Sequence, residues 1–327
     1  MKITEIGAEA KAILRSKDAS RISRWLSAQQ LPRSAAIYEG ACERLFQKLP
    51  DECVDLVITS PPYGMGKAYE SRSSGISDFV LNHQRILPEV CRLLKPGGSL
   101  CWQVGLHVQN GVSTPLDYLV YEIMRDVPEM RLRNRIAWTF GHGLHCRTRF
   151  SGRHETVLWF TKGDNYSFDL DAVRIPQKYP GKRHASGPSK GLPSGNPNGK
   201  NPGDVWEIPN VNSNHVEKTG HPCQFPVALV QRFIRALTKP GDLVFDPFCG
   251  VASTGVAAVV EGRRFVGAEV ESDYVHVGLD RLRDARDGKA KFRPAEKAIH
   301  SPSPTSAVGR RPDHFASAAP LDEAVSD

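Results

Sequence analysis

Short apolar runs alternate with amphipathic stretches along most of the chain. The apolar runs are short enough to be buried strands and lie at residues 54–58, 100–104, 136–140, 243–245 and 264–268. The stretches between them carry apolar residues at helical spacing and lie at 79–94, 115–124 and 225–237. Strands and helices that alternate in this way predict an α/β fold, a mainly parallel sheet with helices on both faces.

Turn residues mark the ends of several of these elements. Ser77-Asp78 is predicted to cap a helix that kinks at Pro88, and the sequence KPGG at 95–98 is predicted to end it. The related sequence KPG at 239–241 is predicted to separate the helix at 225–237 from the strand that starts at 243. Residues before about Arg33 are charged and amphipathic, which predicts one or two peripheral helices.

The run at 54–59 ends in the turn Ser60-Pro61-Pro62-Tyr63. Two prolines fix φ and remove two backbone N–H donors, so the carbonyl acceptors of the turn face fewer competing donors. The serine hydroxyl adds an acceptor, and the tyrosine adds a flat ring. The turn therefore suits a planar amide or an amino-bearing base, which needs acceptors for its NH₂ group and a ring on which to stack.

A second strand, 243–246, ends in a small-residue turn that opens a helix, and Gly262 ends that helix. The strand at 264–270 follows and carries Glu269 near its end. Doubly wound folds hold an adenosine ribose with this arrangement, although an ordinary βαβ unit explains it without a ligand. The segment has neither G-K-[ST] nor G-x-G-x-x-G, which argues against a P-loop and against nicotinamide or flavin dinucleotides.

Together these motifs resemble those of the amino-group DNA methyltransferases that use S-adenosylmethionine. The TSPPY-type turn precedes the DPF-x-G turn, an order that resembles the permuted β group of that family. Segments 153–162 and 218–226 also match the family pattern, and the resemblance covers about residues 38–279. It implies a Rossmann-like methyltransferase fold and methyl transfer to the exocyclic amino group of a flipped DNA base. Ser60 makes this a serine-type turn, and within the family such turns favour cytosine N4 over adenine N6 as the target.

The resemblance also implies roles for individual residues. The catalytic residues are Ser60, Pro61, Pro62 and Tyr63, with Ser60 and the Pro61 carbonyl as acceptors and Tyr63 as the stacking partner. The cofactor-binding residues are Asp246, Pro247, Phe248, Gly250, Thr254, Glu269, Gln224 and Phe225. Glu269 is expected to hold the ribose hydroxyls, and Asp246 to orient the methionine end or the turn itself. Phe225 has helix packing as its alternative role.

Three further features of the sequence bear on the chemistry. Ala252 stands where the family usually has a second glycine; either this position is right-handed or the cofactor approaches less closely, and binding is expected to survive. Cys223 and Cys249 lie inside motifs and are expected to be small packing residues, not nucleophiles. No metal is expected, because methyl transfer from a sulfonium needs none and the candidate ligands match no tight zinc spacing. Those candidates are His142, His145, Cys146 and His154.

The composition changes between Arg174 and Gly203. This segment has no Asp or Glu, and its basic residues stand among Gly, Pro, Ser and Asn. A solvated surface loop is one interpretation; the position of the family's target-recognition region favours DNA binding instead. The predicted DNA contacts are Lys178, Lys182, Arg183, Lys190 and Lys200, and Arg147, Arg149 and Arg153 would extend the basic surface. The formal net charge of +7 permits a polyanionic partner.

We divide the chain into five predicted parts. They are a helical extension at 1–35, a catalytic half at 36–173, a target-recognition insertion at 174–217, a cofactor-binding half at 218–285 and a disordered tail at 286–327. Seven scattered cysteines without C-x-x-C favour reduced thiols, and no apolar run reaches membrane-spanning length. We therefore expect a cytoplasmic, nucleoid-associated protein whose partner is double-stranded DNA and not a membrane. A cognate restriction endonuclease and a homodimer are further partner hypotheses.

Several rival functions stay open. Adenine N6 is the alternative target within the same fold, and a methyltransferase that acts on RNA bases or glutamine side chains could use a similar turn. A nicotinamide oxidoreductase would need a better dinucleotide turn. A non-enzymatic nucleic-acid binder would explain the charge but would leave both motifs without a role.

Overall fold

The computed structural model describes residues 12–28, 31–63, 75–141 and 145–297, and the single positions 299, 303, 305, 306 and 310. Contacts divide the chain into one unit that ends at Ala295 and another that starts at Glu296. All described helices and strands belong to the first unit. The strands are β1 Ile13–Ser16, β2 Ala35–Glu39, β3 Val54–Thr59, β4 Leu94–Val104, β5 Leu106–Gln109, β6 Val112–Pro115, β7 Met130–Thr139, β8 His154–Lys162, β9 Val205–Glu207, β10 Leu243–Asp246 and β11 Arg264–Glu269. The α-helices are α1 Ala19–Ala28, α2 Cys42–Phe46, α3 Ile76–Leu93, α4 Leu116–Met124, α5 Val227–Leu237, α6 Ser253–Val260 and α7 Ser272–Arg286.

Nine of these strands form one sheet in the order β1-β2-β11-β10-β3-β4-β8-β7-β9. The pairs β4–β8 and β8–β7 are antiparallel, and the other pairs are parallel. The late strands β10 and β11 lie between β2 and β3, which are consecutive in the chain. The carboxyl ends of β3, β10 and β11 therefore meet at one edge, which is where open α/β sheets bind ligands. The predicted fold class is confirmed.

Helices cover both faces of the sheet, because the inner strands are apolar on both sides. On β3, Leu56 and Ile58 belong to one buried cluster with α5, α6 and α7. Val57 faces the opposite way, into a second cluster with α1 to α4. Each fully buried aliphatic side chain contributes roughly 1.5–3 kcal/mol of transfer free energy. Trp102, Trp138 and Trp159 are buried, as their strand positions predict.

The N-terminal segment differs from its prediction. It holds the strand β1, which pairs in parallel with β2 from Ile13 opposite Ala35, before the single helix α1. The structure confirms one peripheral helix, α1, but the prediction omitted the strand β1. A four-residue strand at a sheet edge is too short to show a period of its own, and its pairing partner lies more than 20 residues away. Residues 1–11 lie outside the described part of the chain.

Two element boundaries also differ. Helix α3 starts at Ile76 with Gly75 as its N-cap, so Ser77-Asp78 lies inside the helix, and Pro88 is within a continuous helix. Strand β4 starts at Leu94 and includes the sequence KPGG, which was expected to separate the helix from the strand. The pairing of Val54 with Leu94 extends the strand through these turn residues, with a register shift before Leu56. Tertiary pairing overrides the local turn signal here.

The residues that directly follow α7, 287–295, belong to the first unit. Ala290, Phe292 and Ala295 contact the buried cluster of α5 to α7. The Arg293 backbone N–H donates to Glu217 Oε1 at 3.2 Å. The predicted disordered tail at 286–327 therefore cannot begin at 286, and most of it lies outside the described residues. No helix in the described ranges is long and apolar enough to cross a membrane.

Candidate functional site

A cavity of about 410 Å³ opens where β3, β10 and β11 end. Small-molecule sites in proteins typically measure about 300–1,000 Å³. The structure brings all twelve predicted catalytic and cofactor residues to its wall. The turn that begins at Ser60 and the turn that follows Asp246 therefore share one cavity, although 186 residues separate them in the sequence.

Asp246 joins the two turns. The Thr59 hydroxyl, one residue before Ser60, donates to Asp246 Oδ1 at 2.5 Å, and the Phe248 backbone N–H donates to the same oxygen at 3.0 Å. The two residues meet because β3 and β10 are parallel neighbours. Burial raises the pKa of Asp246 to about 6, while the hydrogen bond from the Thr59 hydroxyl acts in the opposite direction. Asp246 thus orients the turn, one of its two expected roles; its role toward the methionine end stays a prediction.

The turn between β10 and α6 uses two left-handed residues. Gly250 has φ +50° and Ala252 has φ +58°. The interpretation that Ala252 is right-handed is therefore wrong. Its methyl group is accommodated by Gly278 on α7, where an added Cβ would lie 3.2 Å from the Ala252 Cβ. A missing side chain on the neighbouring helix thus makes room for the alanine in the turn.

Glu269 closes this turn from the end of β11. Its Oε2 accepts from the Gly250 backbone N–H at 2.9 Å, and its Oε1 accepts from the Glu271 backbone N–H at 2.8 Å. Burial raises the pKa of the carboxyl group despite these bonds. A carboxylate has about four lone-pair sites. Two backbone bonds therefore leave acceptor capacity for a pair of hydroxyl groups, which fits the ribose role predicted for Glu269.

The cavity wall is acidic and has no lysine or arginine among the described residues. Its carboxyl groups belong to Glu43, Glu155, Asp246 and Glu269. The one histidine in the wall, His221, has its pKa lowered to about 4 by burial, so it is neutral at pH 7. Such a wall favours a cationic ligand and disfavours a pyrophosphate. The charged groups of the wall therefore fit a sulfonium cofactor and do not fit a nicotinamide or flavin dinucleotide.

A chain of hydrogen bonds runs along the cavity wall from Ser60 to Glu155. Ser60 Oγ lies 3.1 Å from the Tyr63 hydroxyl, which donates to Gln103 Oε1 at 2.6 Å. Gln103 Nε2 donates to Glu155 Oε2 at 2.5 Å. Burial raises the pKa of Glu155 to about 7, and the Gln103 bond opposes this shift. Burial likewise raises the pKa of Tyr63 well above its usual value.

Sequence reasoning missed Gln103 and Glu155 as site residues. Gln103 had a visible signal, because it is a polar residue inside the apolar run at 100–104 and is 1% exposed. Glu155 lies in the segment 153–162 that matches the family pattern, but nothing in that pattern placed it beside Gln103. His221 was also missed; its ring packs on Tyr274 with centroids 4.6 Å apart.

Gln224 and Phe225, the predicted cofactor residues just before α5, make hydrogen bonds and ring contacts with other residues of the protein. Gln224 Oε1 accepts from the Thr219 hydroxyl at 2.9 Å, and its Nε2 donates to the Glu217 carbonyl at 2.7 Å. The Gln224 amide therefore orders its own loop at the cavity wall. Phe225 packs edge-on against Trp138, with ring centroids 6.1 Å apart, so it lines the cavity and contacts the core at once.

The two motif cysteines behave differently from each other. Cys249 is buried, and burial raises its pKa well above the usual value, as expected for a packing residue. Cys223 is exposed, so its interpretation as a packing residue is wrong. It lies at the cavity wall, in the loop before α5.

The basic insertion, residues 174–203, forms a turn-rich loop, and none of its residues lines the cavity. Its five predicted DNA contacts are all exposed, and none lines the cavity. Backbone bonds between Ile175 and Lys200, of 3.0 and 2.8 Å, close its base. Within it the Arg183 guanidinium donates to the Gly191 carbonyl at 2.5 Å, so this cation has a structural partner. The structure therefore separates the predicted DNA contacts from the predicted reaction site.

The remaining polar candidates from the sequence are the possible metal ligands and three arginines. His145, Cys146 and His154 are described and His142 lies outside the described residues. Across the described ranges no group of three or more His, Cys, Asp or Glu side chains is arranged to hold a metal ion. Arg147 and Arg149 are exposed and Arg153 is half-buried in the loop between β7 and β8.

Comparison with known proteins agrees with this geometry. A family model described as DNA methylase, N6_N4_Mtase, matches residues 54–280. The Type II methyltransferase M.BglII of Bacillus subtilis is 43% identical over 257 residues, which are 78% of this chain and 71% of that protein. The DNA adenine methyltransferase YhdJ of Escherichia coli (strain K12) is 31% identical, with 75% and 82% of the two chains covered.

Among solved structures, the PvuII DNA methyltransferase (cytosine-N4-specific) has the same fold. It matches with a TM-score of 0.61 and 24% identity over 79% of this chain and 94% of that one. The predicted methyltransferase architecture is therefore confirmed. Because the family model spans residues 54–280 and a relative is 43% identical over most of the chain, the protein belongs to the N6/N4 family of DNA methylases.

Proposed function

We propose that this DNA methyltransferase transfers a methyl group to N4 of a cytosine that is flipped out of double-stranded DNA. The observation that carries the target base is Ser60 at the first position of the catalytic turn. A neutral hydroxyl and the Pro61 carbonyl present acceptors there, and turns of the serine type lean toward cytosine within the family. Adenine-directed turns lean toward aspartate at this position.

S-adenosylmethionine is the cofactor, and when bound it supplies a methyl group on a cationic sulfur. The acidic wall of the cavity fits that charge. Glu269 would hold the ribose hydroxyls with its free lone pairs, and the turn at 247–252 would approach the nucleoside at Gly250, which has no side chain. Asp246 keeps that turn in register with Ser60 through Thr59.

The protein's main task is to activate a poor nucleophile. The lone pair of an exocyclic amino group is delocalised into the ring, so the nitrogen is nearly planar and weakly nucleophilic. Ser60 Oγ and the Pro61 carbonyl would accept its two hydrogens and favour a tetrahedral nitrogen whose lone pair points away from them. Fixed acceptors of this kind stabilise positive charge as it develops on nitrogen in the transition state, and alignment supplies much of the rest.

The target base must leave the duplex to reach this cavity. Flipping costs a few kcal/mol of stacking and pairing free energy. The Tyr63 ring, whose hydroxyl is held by Gln103, would offset part of this cost by stacking on the base. The basic insertion would neutralise phosphates around the flipped nucleotide and hold the enzyme on the duplex.

The chemical identity of the product tests this proposal. Purified enzyme, S-adenosylmethionine and unmodified plasmid DNA are incubated, and the digested nucleosides are separated by mass spectrometry. N4-methylcytidine in its deoxy form is expected; N6-methyldeoxyadenosine alone would overturn the cytosine assignment. Parallel RNA and protein pools separate the rival substrate classes.

Adenine N6 is the second candidate, because the relative YhdJ is named as a DNA adenine methyltransferase. Cytosine and adenine both present an NH₂ group beside a ring nitrogen, so the acceptors at Ser60 and Pro61 serve either base. M.BglII is named as a Type II methyltransferase. By analogy, we infer a role in restriction–modification. The test is to identify the methylated DNA sequence and then to measure whether the methylated DNA resists endonucleases that cut that sequence.

A further inference from the structure

The hydrogen bonds that lead to Ser60 have a direction that the structure determines. Glu155 and Gln103 lie at the same end of the antiparallel strands β8 and β4, where Gln103 pairs with Val157. The Glu155 carboxylate can only accept, so Gln103 must turn its Nε2 toward it. Gln103 Oε1 then faces Tyr63 and can only accept the tyrosine hydrogen. This order leaves Tyr63 no hydrogen to offer to Ser60.

The state of Ser60 follows from that order. Because the Tyr63 hydrogen is committed to Gln103, the Tyr63 oxygen accepts the hydrogen of Ser60 across 3.1 Å. Among the described residues this is the hydrogen-bond partner of Ser60 Oγ. The serine oxygen keeps two lone pairs and has no hydrogen left to donate. A substrate amino group, which offers only hydrogens at this position, meets an acceptor whose orientation is already set.

The reverse order would impair the site. If Glu155 were protonated and donated to Gln103 Oε1, Gln103 Nε2 would donate to Tyr63, and Tyr63 could donate to Ser60. The Ser60 hydrogen would then be free to point into the cavity and would repel an incoming N–H group. The charge on Glu155 therefore selects between an accepting and a donating serine.

We propose that Gln103 and Glu155 are positioning residues that hold Ser60 as a hydrogen-bond acceptor and fix the Tyr63 ring at the base-binding wall. The proposal rests on the proposed function of the cavity and deepens it. The pair acts through Tyr63 and needs no contact with the base. A proton relay is not implied, because the neutral amide of Gln103 interrupts the chain between Tyr63 and Glu155.

The surroundings of Glu155 explain why its charge can change near neutral pH. Burial raises its pKa to about 7. Tyr63 faces it from the turn after β3, and Cys223 faces Tyr63 from the loop before α5. Its neighbours on the paired strands, Trp138 on β7 and Gly105 after β4, bring no charge. As pH rises through 7 the carboxyl group ionises and the accepting order becomes fixed.

Single-turnover kinetics with the full-length enzyme and duplex DNA test the proposal. Glu155→Gln is expected to lower the methyl-transfer rate about 10- to 100-fold, because a carboxamide can either accept from or donate to Gln103. The affinity for S-adenosylhomocysteine, measured by calorimetry, should stay within about twofold. The rate of the wild-type enzyme should fall as pH drops from 8 to 6, and Glu155→Gln should lose that dependence. Glu122→Gln removes the same charge from the surface of α4 and serves as the control.

A double-mutant cycle separates positioning from simple structural support. Tyr63→Phe keeps the ring and breaks the chain, so adding Glu155→Gln to it should cost less than about twofold. A full, additive loss in the double variant, or an unchanged pH profile in Glu155→Gln, would overturn the proposal. These results require a wild-type enzyme that methylates DNA. A wild type that leaves DNA unmodified would instead refute the proposed function.

The melting temperature of the ligand-free variants gives a readout that does not depend on turnover. Gln103→Met has a similar length but cannot form either hydrogen bond. If Gln103→Met folds with a melting temperature close to that of the wild type and loses the methyl-transfer rate, the result supports positioning. If it melts much lower while the surviving folded fraction keeps full specific activity, the pair is structural and the proposal fails.

Discussion

The cavity and the basic insertion have opposite electrostatic character. Four carboxyl groups and no lysine or arginine line the cavity among the described residues. Between Arg174 and Gly203 the chain has six basic residues and no acidic ones. One region therefore suits a small cation and the other a polyanion. With the insertion as the proposed DNA-binding region, this segregation would keep either site from attracting the other's ligand.

The two regions also differ in packing. Near the cavity a Cβ added at Gly255 or Gly267 would lie 2.7 Å from a neighbouring side chain, so these positions leave no space for larger residues. In the insertion an added Cβ at Gly181 or Gly187 would meet nothing within 4 Å, although at Gly199, beside the closed base of the loop, it would meet the Ile175 carbonyl. A rigid wall can hold reacting groups in alignment. An open loop can adapt its shape to a duplex, but binding then costs the conformational entropy that the loop loses.

The largest expected effect separates cofactor binding from base capture. Glu269→Ala should weaken binding of S-adenosylmethionine about 100-fold or more, because two hydrogen bonds to a buried charged group are lost. Tyr63→Ala should leave cofactor affinity within a few-fold and mainly impair methylation. Isothermal titration of both variants measures this difference. Equal loss of cofactor affinity in the two would contradict the assignment of Glu269 to the cofactor and Tyr63 to the base.

A weaker effect is expected in the insertion. Replacing Lys178, Lys182 and Lys190 by alanine should lower duplex affinity more than about tenfold and reduce the salt slope of binding by about 2.7. Affinity for the cofactor should not change. A control with Lys48, Lys239 and Lys289 replaced removes the same charge from other exposed positions. If the control lowers the slope equally, only net charge matters, and the insertion has no special role.

The buried acids of the cavity should reduce stability at high pH. Glu155 has a folded-state pKa of about 7 against an ordinary value of 4.5, so the native state binds the extra proton between those values. Its contribution to stability therefore falls as pH rises from 4.5 to 7 and stays low above 7. Glu155→Gln should thus raise the free energy of unfolding by about 1–2 kcal/mol at pH 8. At pH 4 the substitution should change the free energy of unfolding little. Urea titrations of both proteins at pH 8 and pH 4 measure this difference. An equal gain in stability at both pH values would contradict the prediction.

The smallest effect concerns the contact between Ala252 and Gly278. Gly278→Ala should destabilise the protein by about 1 kcal/mol, because overpacking exceeds the gain in helix propensity. In an Ala252→Gly background the same change should cost less than about 0.5 kcal/mol, because one of the two contacts at 3.2 Å is removed while the contact with Ile37 Cδ1 stays. Denaturant titrations of the two single variants and the double variant measure the coupling. Gly181→Ala in the open insertion is the control and should stay within about 0.5 kcal/mol; additive effects at 252 and 278 would disprove the contact.

The sequence revealed those parts of the site that lie in one stretch of chain. The turn at Ser60 and the turn after Asp246 each carry their own signal, because prolines and small residues at strand ends constrain the backbone locally. The fold class followed from the alternation of strands and helices for the same reason. Every predicted catalytic and cofactor residue reaches the cavity wall.

What the sequence did not reveal depends on pairing between distant strands. Gln103 and Glu155 are 52 residues apart, and they meet only because β8 runs antiparallel beside β4. The strand β1 and the order of the sheet have the same origin. Ala252 shows a different limit, since a single sequence cannot tell that Gly278 supplies the space its methyl group needs.

The order of the strands has a consequence for synthesis of the protein on the ribosome. Strands β10 and β11 are translated after β2 and β3, yet they lie between them. A nascent chain that has emerged only as far as α5 carries two unpaired strand edges, which are sites of aggregation. Native pairing of the central sheet must wait for residue 269, so we expect slow, late folding and dependence on chaperones.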